Sequence, residues 1–307
     1  MRKIIILLIV LLSLIILPRI LHAKLVWSRG TGWIDTDTLR RETPHQKYRY
    51  ATVLMINGKY ITAANEFLDI SDRYPDSELT EPSQFNAGHA YYLAREYKKA
   101  FQALDKLLVK FPGTRRRGEV LEKAYRIASA QMEKSPEKAI SMFEKIIEHN
   151  PLGPIAVDAQ IKIAECHYSL MQYDEAVATY EKIIENYPKS EWVPYAQFQI
   201  PSSKFASSYF QDRDVGLLVQ SREGYDEYLA TNPEGPMAEE AKKKIEEIRL
   251  LEAEKTFNIA EFYYRRKEST SAVIYYKTVL QDYPDTIWAV KAEKTLAFLK
   301  SIGVVKK

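Results

Sequence analysis

Residues 84–112 of the sequence read QFNAGHAYYLAREYKKAFQALDKLLVKFP, and this stretch decides the fold. Its second half places a small residue at Ala100 and larger apolar residues at Leu104 and Leu107. Steps of four and three residues put these side chains on one face of an α-helix. Pro112 ends that helix, because proline has no backbone N–H and clashes with the preceding turn. The stretch therefore predicts an amphipathic helix whose small residue lets a neighbouring helix approach closely.

The same pattern occurs six times, each time before a proline that follows an aromatic residue or an asparagine. Twelve positions before the proline stands a small residue, eight before it an aromatic residue or leucine, and five before it an apolar residue. The prolines are Pro75, Pro112, Pro151, Pro188, Pro233 and Pro284. The six sets are Ala63, Phe67, Ile70; Ala100, Leu104, Leu107; Ala139, Phe143, Ile146; Ala176, Tyr180, Ile183; Ser221, Tyr225, Tyr228; and Ala272, Tyr276, Val279. Internal repetition of this kind indicates an array of stacked repeats.

Upstream of each set lies a second amphipathic stretch, such as Gly88, Tyr91 and Tyr92 in the second repeat. The two stretches are joined by short polar segments, such as Arg95-Glu96. Two helices per repeat predict helix-turn-helix units of tetratricopeptide type. We therefore predict an all-α fold, a right-handed α-solenoid of about six tetratricopeptide-like units, with at least ten helices and no β-sheet.

The N-terminal segment has the layout of a secretory signal peptide. Arg2 and Lys3 precede a run without charge from Ile4 to Leu17, and Ala23 supplies a small residue for cleavage. The run is shorter than the roughly 20 apolar residues of a membrane-spanning helix. We predict that residues 1–23 are a signal peptide or, alternatively, a signal anchor. The protein is then exported from the cytoplasm or, in the alternative, anchored in the inner membrane.

The rest of the chain divides where the helical pattern changes. Residues 24–42 have no helical period and are predicted to be an extended N-terminal arm. Thr43 opens a capping box with proline at the first helical position, so repeats 1–5 occupy residues 43–235. Residues 236–257 are predicted to form a charged connecting helix. Residues 258–307 then form the last repeat and a closing helix.

The fifth repeat departs from the pattern of the others. Pro201 falls inside its first helix, where proline kinks or breaks a helix. Residues 211–216 are predicted to form a longer loop between its two helices.

Composition and motifs argue against several classes of function. The net charge of +3 equals the charge of Arg2, Lys3 and Arg19 in the signal segment, so a neutral mature chain predicts no nucleic-acid partner. Cys166, the only cysteine, precedes His167, and adjacent helical residues point too far apart to share a metal. The sequence has no phosphate-binding glycine loop and no nucleophile motif. We expect no catalytic, metal or cofactor site, and therefore no enzyme.

The aromatic residues predict where a partner binds. Many of the 21 tyrosines fall at helical spacing, and some occupy positions that line the inner side of a solenoid. Aromatic rings with a polar tip suit the recognition of extended peptides. The peptide-groove candidates are Tyr48, Phe85, His89, Tyr92, Tyr125 and Tyr168.

Five segments of the sequence together follow the pattern of a known family. They are Asp72-Arg73-Tyr74-Pro75-Asp76-Ser77, Tyr173-Asp174-Glu175-Ala176, Asp212-Arg213-Asp214, Ala260-Glu261-Phe262-Tyr263-Tyr264 and Asp282-Tyr283-Pro284-Asp285-Thr286. Through these segments the sequence resembles the BamD family of outer-membrane assembly lipoproteins over about residues 43–300. The resemblance implies a periplasmic scaffold at the inner face of the outer membrane. Its partners would be a BamA-type barrel-inserting protein, bound through POTRA domains, and unfolded β-barrel substrates.

One feature of the BamD family is absent from this sequence. Lys24 follows Ala23 at the place where the family carries its lipid-bearing cysteine. We therefore expect no lipid anchor of the family type. Membrane association would come through partners or through the N-terminal hydrophobic segment.

The resemblance implies a partner interface at the C-terminal end, where it is most specific. The interface candidates are Glu261, Tyr263, Tyr264, Arg265 and Arg266. Aromatic residues mixed with arginine are typical of interface hot spots. The residues themselves leave a different scaffold open, namely a periplasmic tetratricopeptide adaptor of the cell-division or Tol-Pal type, or another protein-binding scaffold.

Overall fold

The computed structural model describes residues 25–28, 32–35, 42–210 and 214–303. The residues it describes contain thirteen α-helices, which confirms the predicted all-α fold of tetratricopeptide type. They divide into two compact units between Lys134 and Ser135, inside the predicted third repeat. The predicted signal segment lies outside the described residues, and the right-handed course of the array stays a prediction.

In each unit, every helix packs against the next one along the chain. The first unit contains α1 (Pro44–Ile56), α2 (Tyr60–Arg73), α3 (Thr80–Leu93), α4 (Tyr97–Lys110) and α5 (Arg117–Met132). The second contains α6 (Pro136–His149), α7 (Pro154–Ser169), α8 (Tyr173–Asn186), α9 (Val193–Phe210), α10 (Val215–Thr231), α11 (Ala238–Arg265), α12 (Ser269–Asp282) and α13 (Ile287–Ser301). The short connections make successive helices antiparallel neighbours.

The expectation of no β-sheet is wrong for the N-terminal arm. Strand β1 (Leu25–Ser28) pairs antiparallel with strand β2 (Gly32–Asp35), and Trp27 lies opposite Trp33. Both strands are rich in β-branched and aromatic residues, which favour extended pairing. The absence of a helical period in this segment indicated an extended chain, but not that two parts of it pair.

The first helix begins where the sequence predicts. The Thr43 side chain accepts a hydrogen bond from the Gln46 backbone N–H at 3.3 Å, and the Gln46 side chain accepts one from the Thr43 N–H at 3.2 Å. This reciprocal capping box satisfies donors that have no partner within a helix.

All eighteen positions of the six repeated sets are buried, and none is more than 2% exposed. The second repeat shows why small residues are needed. A Cβ added at Gly88 of α3 would stand 2.7 Å from a methyl group of Leu104 on α4. The two helices therefore approach so closely here that only glycine fits at position 88. The burial of all eighteen positions confirms the repeat alignment.

Helix α9 passes through Pro201 without a break. The Ser221 hydroxyl of α10 donates a 2.8 Å hydrogen bond to the Pro201 carbonyl, which ties the two helices together at this point. Of the predicted loop at 211–216, residues 211–213 lie outside the described residues. Val215 and Gly216 already belong to α10, so the loop is shorter than predicted at its C-terminal end.

The predicted boundary at residues 257 and 258 is wrong, because α11 is one helix of 28 residues. It contains no glycine or proline, and it is rich in glutamate, lysine and alanine, which favour helix. Its first part packs Ala241 and Ile248 against α10, and its last part packs Phe257 and Ala260 against α12. One helix thus serves both as the connection and as the first helix of the last repeat.

Candidate protein-binding surfaces

Three of the groove candidates lie close together on α3, facing α5. Phe85 is only 5% exposed. The Arg116 guanidinium lies 4.6 Å and the Lys123 ammonium 4.8 Å from the centre of its ring, so cations cover it. The exposed parts of this region therefore come from its neighbours His89 and Tyr92 rather than from Phe85.

Between α3 and α5 lies a cleft of about 270 Å³, called here the α3–α5 cleft. Its lining residues are His89, Tyr92, Glu119, Glu122, Lys123 and Arg126. Burial and, to a lesser degree, the charge of Lys123 lower the pKa of His89 below 6.5, so the imidazole is neutral at pH 7. Burial also lowers the pKa of Lys123. The cleft combines a tyrosine, a neutral histidine and charges of both signs, which suits a polypeptide segment better than a purely apolar molecule.

Sequence reasoning missed the α5 side of this cleft. Glu119, Glu122, Lys123 and Arg126 follow one another at helical spacings of three, one and three residues, so they share one face of α5. The spacing alone is visible in the sequence, but a charged helix face is usually solvated and does not by itself indicate a cleft.

The other groove candidates have separate surroundings. The Tyr48 ring packs edge-on against Phe67 at 5.3 Å between centroids, and its hydroxyl accepts a 2.7 Å hydrogen bond from Asn86. Tyr125 is half-buried on α5. Tyr168 belongs to the second unit, where it is 38% exposed and packs edge-on against Tyr173. The six candidates are thus distributed over both units, and their role in binding stays a prediction.

Several C-terminal candidates contribute to packing. The hydroxyl of Tyr276, on α12, donates a 2.5 Å hydrogen bond to Glu261. The Tyr263 ring stacks on Tyr275, with centroids 5.5 Å apart and planes inclined by 7°. Tyr264 packs against the core of the last repeat. Glu261 and Tyr264 therefore help to hold α11 against α12.

An aromatic residue outside the predicted set is exposed beside these candidates. Phe262 is 54% exposed and packs edge-on against Tyr263. The Arg266 guanidinium lies 5.4 Å from its ring centre and also pairs with Glu268 at 3.1 Å. We call Phe262, Tyr263, Tyr275 and Arg266 the C-terminal aromatic patch. Phe262 lies within the segment that carried the family resemblance, so that resemblance was a signal for it.

Further large apolar side chains are exposed at this end of the chain, on α12 and at the start and along the length of α13. They are Ile274, Ile287, Val290 and Phe298, each more than half exposed. Exposed apolar surface is typical of sites that bind other proteins.

The remaining chemistry of the described residues is limited. Cys166 is fully buried in α7. Within the described ranges, no group of three or more histidine, cysteine, aspartate or glutamate side chains is arranged to hold a metal ion. In those same ranges, no helix combines the length and apolar character that crossing a membrane requires.

Comparisons with known proteins agree with the resemblance seen in the sequence. The YfiO family, described as outer membrane lipoprotein, matches residues 40–121 and 117–302. The outer membrane protein assembly factor BamD of Pasteurella multocida is 24% identical over 221 residues, which cover 66% of this chain and 76% of that protein. BamD of Xylella fastidiosa is 25% identical over 164 residues, or 50% of this chain and 56% of that protein.

Solved structures of repeat proteins are also similar. One is the C-terminal part of a tetratricopeptide repeat-containing protein from Cytophaga hutchinsonii, with a TM-score of 0.38 and 17% identity, covering 83% of this chain and 90% of that one. The YfiO match extends over most of the sequence and includes all thirteen described helices. The chain therefore belongs to the YfiO family, described as outer membrane lipoprotein, and it is similar to two outer membrane protein assembly factors named BamD.

Proposed function

We propose that this protein is a periplasmic scaffold of the machinery that assembles β-barrel proteins into the outer membrane. The observation that carries the proposal is the family match over nearly all the helical repeats, together with relatives named as outer membrane protein assembly factors. Stacked helical repeats present extended surfaces for other proteins, which favours binding over catalysis. The protein works at the inner face of the outer membrane. Its partners hold it there; if the N-terminal hydrophobic segment is retained, it anchors the protein in the inner membrane instead.

The last repeat binds the periplasmic POTRA domains of the barrel-inserting protein. The C-terminal aromatic patch supports this assignment, because exposed aromatic rings beside arginine are typical of the centre of an interface. Arg265 is exposed next to the patch, and Arg266 lies over the exposed Phe262 ring. Glu261 and Tyr264 position this surface through their contacts with α12 rather than forming its exposed part.

A charge reversal tests the proposed interface. Arg265→Glu with Arg266→Glu is expected to weaken binding of purified POTRA domains by about tenfold or more, a loss of about 1.4 kcal/mol. Isothermal titration calorimetry at moderate salt measures the affinity, and circular dichroism checks the helix content. The control is Lys277→Glu with Lys294→Glu, which makes the same change of charge at exposed positions of α12 and α13. Equal losses in both variants would argue against a specific patch.

The first unit receives unfolded β-barrel substrates in the α3–α5 cleft. The cleft carries charges of both signs, has an aromatic wall, and is large enough for side chains of an extended segment. A photo-crosslinking amino acid at His89 or Tyr92 is expected to capture an unfolded outer-membrane barrel protein. The same amino acid at Gln102, an exposed position of α4, serves as the control. Crosslinks from Gln102 but not from His89 or Tyr92 would exclude the cleft.

A further inference from the structure

A second groove lies in the second unit, where α8, α9 and α10 meet, and encloses about 390 Å³. None of the residues that line it belongs to the α3–α5 cleft or to the C-terminal aromatic patch. It is called here the α8–α10 groove.

Two unusual residues form this groove. Gly224 of α10 faces Pro201 of α9, and a Cβ added at Gly224 would stand 3.0 Å from the Pro201 Cβ. Glycine thus permits a close approach of α9 and α10 that a side chain would hinder. Gln197 and Pro201 both line the groove.

The groove has an apolar floor and an acidic rim. Ile184 and Ile200 are half-buried and face the groove. Glu181, Glu223 and Glu227 are exposed at its edge, and Lys204 is the one cation among the lining residues. The three carboxylates outnumber that cation, so the local charge is negative.

We propose that the α8–α10 groove binds a basic amphipathic segment of a partner protein. Carboxylates only accept hydrogen bonds, so their natural partners are lysine and arginine side chains, which only donate. Apolar residues on the other face of the segment cover Ile184 and Ile200. An acidic segment would meet like charges, and a wholly apolar segment would leave the acceptors desolvated without donors.

Fluorescence anisotropy tests this proposal with the full chain lacking residues 1–23. The probe is a fluorescein-labelled amphipathic peptide of leucine and lysine, and its twin carries glutamate in place of every lysine. We expect the lysine peptide to bind, more weakly at high salt, and the glutamate twin not to bind. Glu223→Lys with Glu227→Lys is expected to weaken binding of the lysine peptide by about tenfold. If that variant does not fold, Glu223→Gln with Glu227→Gln carries the same test with a smaller expected loss.

A matched variant separates this groove from general attraction between charges. Glu144→Lys with Glu293→Lys makes the same change of charge at exposed positions of α6 and α13, outside the groove. We expect it to bind the lysine peptide nearly as well as the unmodified protein. The proposal is overturned if both pairs of substitutions weaken binding equally, if the glutamate peptide binds as tightly, or if the lysine peptide does not bind.

Discussion

Single residues with a left-handed backbone form the turns within the helical pairs. The angle φ is 73° at Gly58, 61° at Arg95, 60° at Met171 and 65° at Lys267. Glycine adopts this conformation freely, whereas an L side chain costs roughly 1–2 kcal/mol there. The polar character of the turns was predictable from sequence. The positive φ at an arginine, a methionine and a lysine was not, because none of these residues favours it.

The first turn tests this account. Gly58→Ala is expected to lower the free energy of unfolding by about 1 kcal/mol, as measured by urea denaturation. No atom lies within 4 Å of the added Cβ, so the loss would come from the backbone and not from a clash. Gly113 also has no atom that close and does not have a positive φ. Gly113→Ala should therefore cost nothing, and an equal loss at both positions would refute the strain argument.

The thiol of Cys166 is predicted to be inert in the folded protein. Burial raises its pKa to about 12, so the thiol stays protonated until the pH approaches that value, and it is also inaccessible. We expect no reaction with a thiol-specific chromogenic reagent at pH 8 until the protein is unfolded. Ser141→Cys places a thiol at an exposed position of α6 and should react at once. Rapid reaction of the unmodified folded protein would show that the α7 core opens.

At the scale of elements, the helix pairs were predictable and the long helix α11 was not. The regular spacing of the repeated sets marks the second helix of each pair. A helix boundary near residue 257 was predicted only from the length of the repeats. An ion pair with one fully buried partner helps to hold the middle of α11. Glu252 is fully buried and accepts a 3.1 Å hydrogen bond from Arg222 of α10. No sequence pattern predicts an ion pair between residues that are 30 positions apart.

Substitution of Arg222 tests how much this ion pair contributes to the free energy of unfolding. Burial raises the pKa of Glu252 above 4.5, while Arg222 and Tyr283 oppose the rise. Because its pKa is raised in the folded state, the Glu252 carboxyl group contributes most to stability below pH 4.5, where it is protonated. That contribution is lost as the pH rises through the pKa of the folded state. Arg222→Met is expected to cost about 3 kcal/mol at pH 7, and less near pH 4, where Glu252 takes up a proton. Urea unfolding at both pH values measures the difference.

A surface pair provides the matched control for that experiment. Arg126 and Glu122 also form an ion pair, but both side chains are more than half exposed. Arg126→Met should cost less than about 1 kcal/mol at either pH. Arg222→Met combined with Glu252→Leu should recover much of the loss, because no unpaired charge then stays buried. Equal effects of the two arginine substitutions at both pH values would contradict the argument.

For the whole molecule, the sequence predicted repetition better than it predicted binding surfaces. Burial at eighteen repeated positions follows from local spacing, which a sequence contains. The α3–α5 cleft combines residues of two helices, and the Phe85 ring is covered by Arg116, which precedes α5, and by Lys123 of α5. The pairing of β1 with β2 likewise needs contacts between segments. Contacts of this kind are set by tertiary structure, so reading one helix at a time could not find them.

The repeat architecture also predicts how far the effect of a destabilising substitution extends along the chain. Ala176 is fully buried among Ile161, Ala164 and Tyr180, so Ala176→Leu overpacks this contact at a cost of about 1–3 kcal/mol. Each repeat of such an array depends mainly on its immediate neighbours. We therefore expect faster amide hydrogen exchange in α7, α8 and α9 of the variant and unchanged exchange in α1 to α4.

Ala178 supplies the control on the same helix. Its side chain is exposed, so Ala178→Leu should leave exchange unchanged throughout. If Ala176→Leu instead accelerates exchange equally in both units, the repeats unfold as one cooperative body and the nearest-neighbour description is wrong. If it accelerates exchange nowhere and leaves the unfolding midpoint unchanged, α7 and α8 do not meet as closely at Ala176 as the repeat alignment requires.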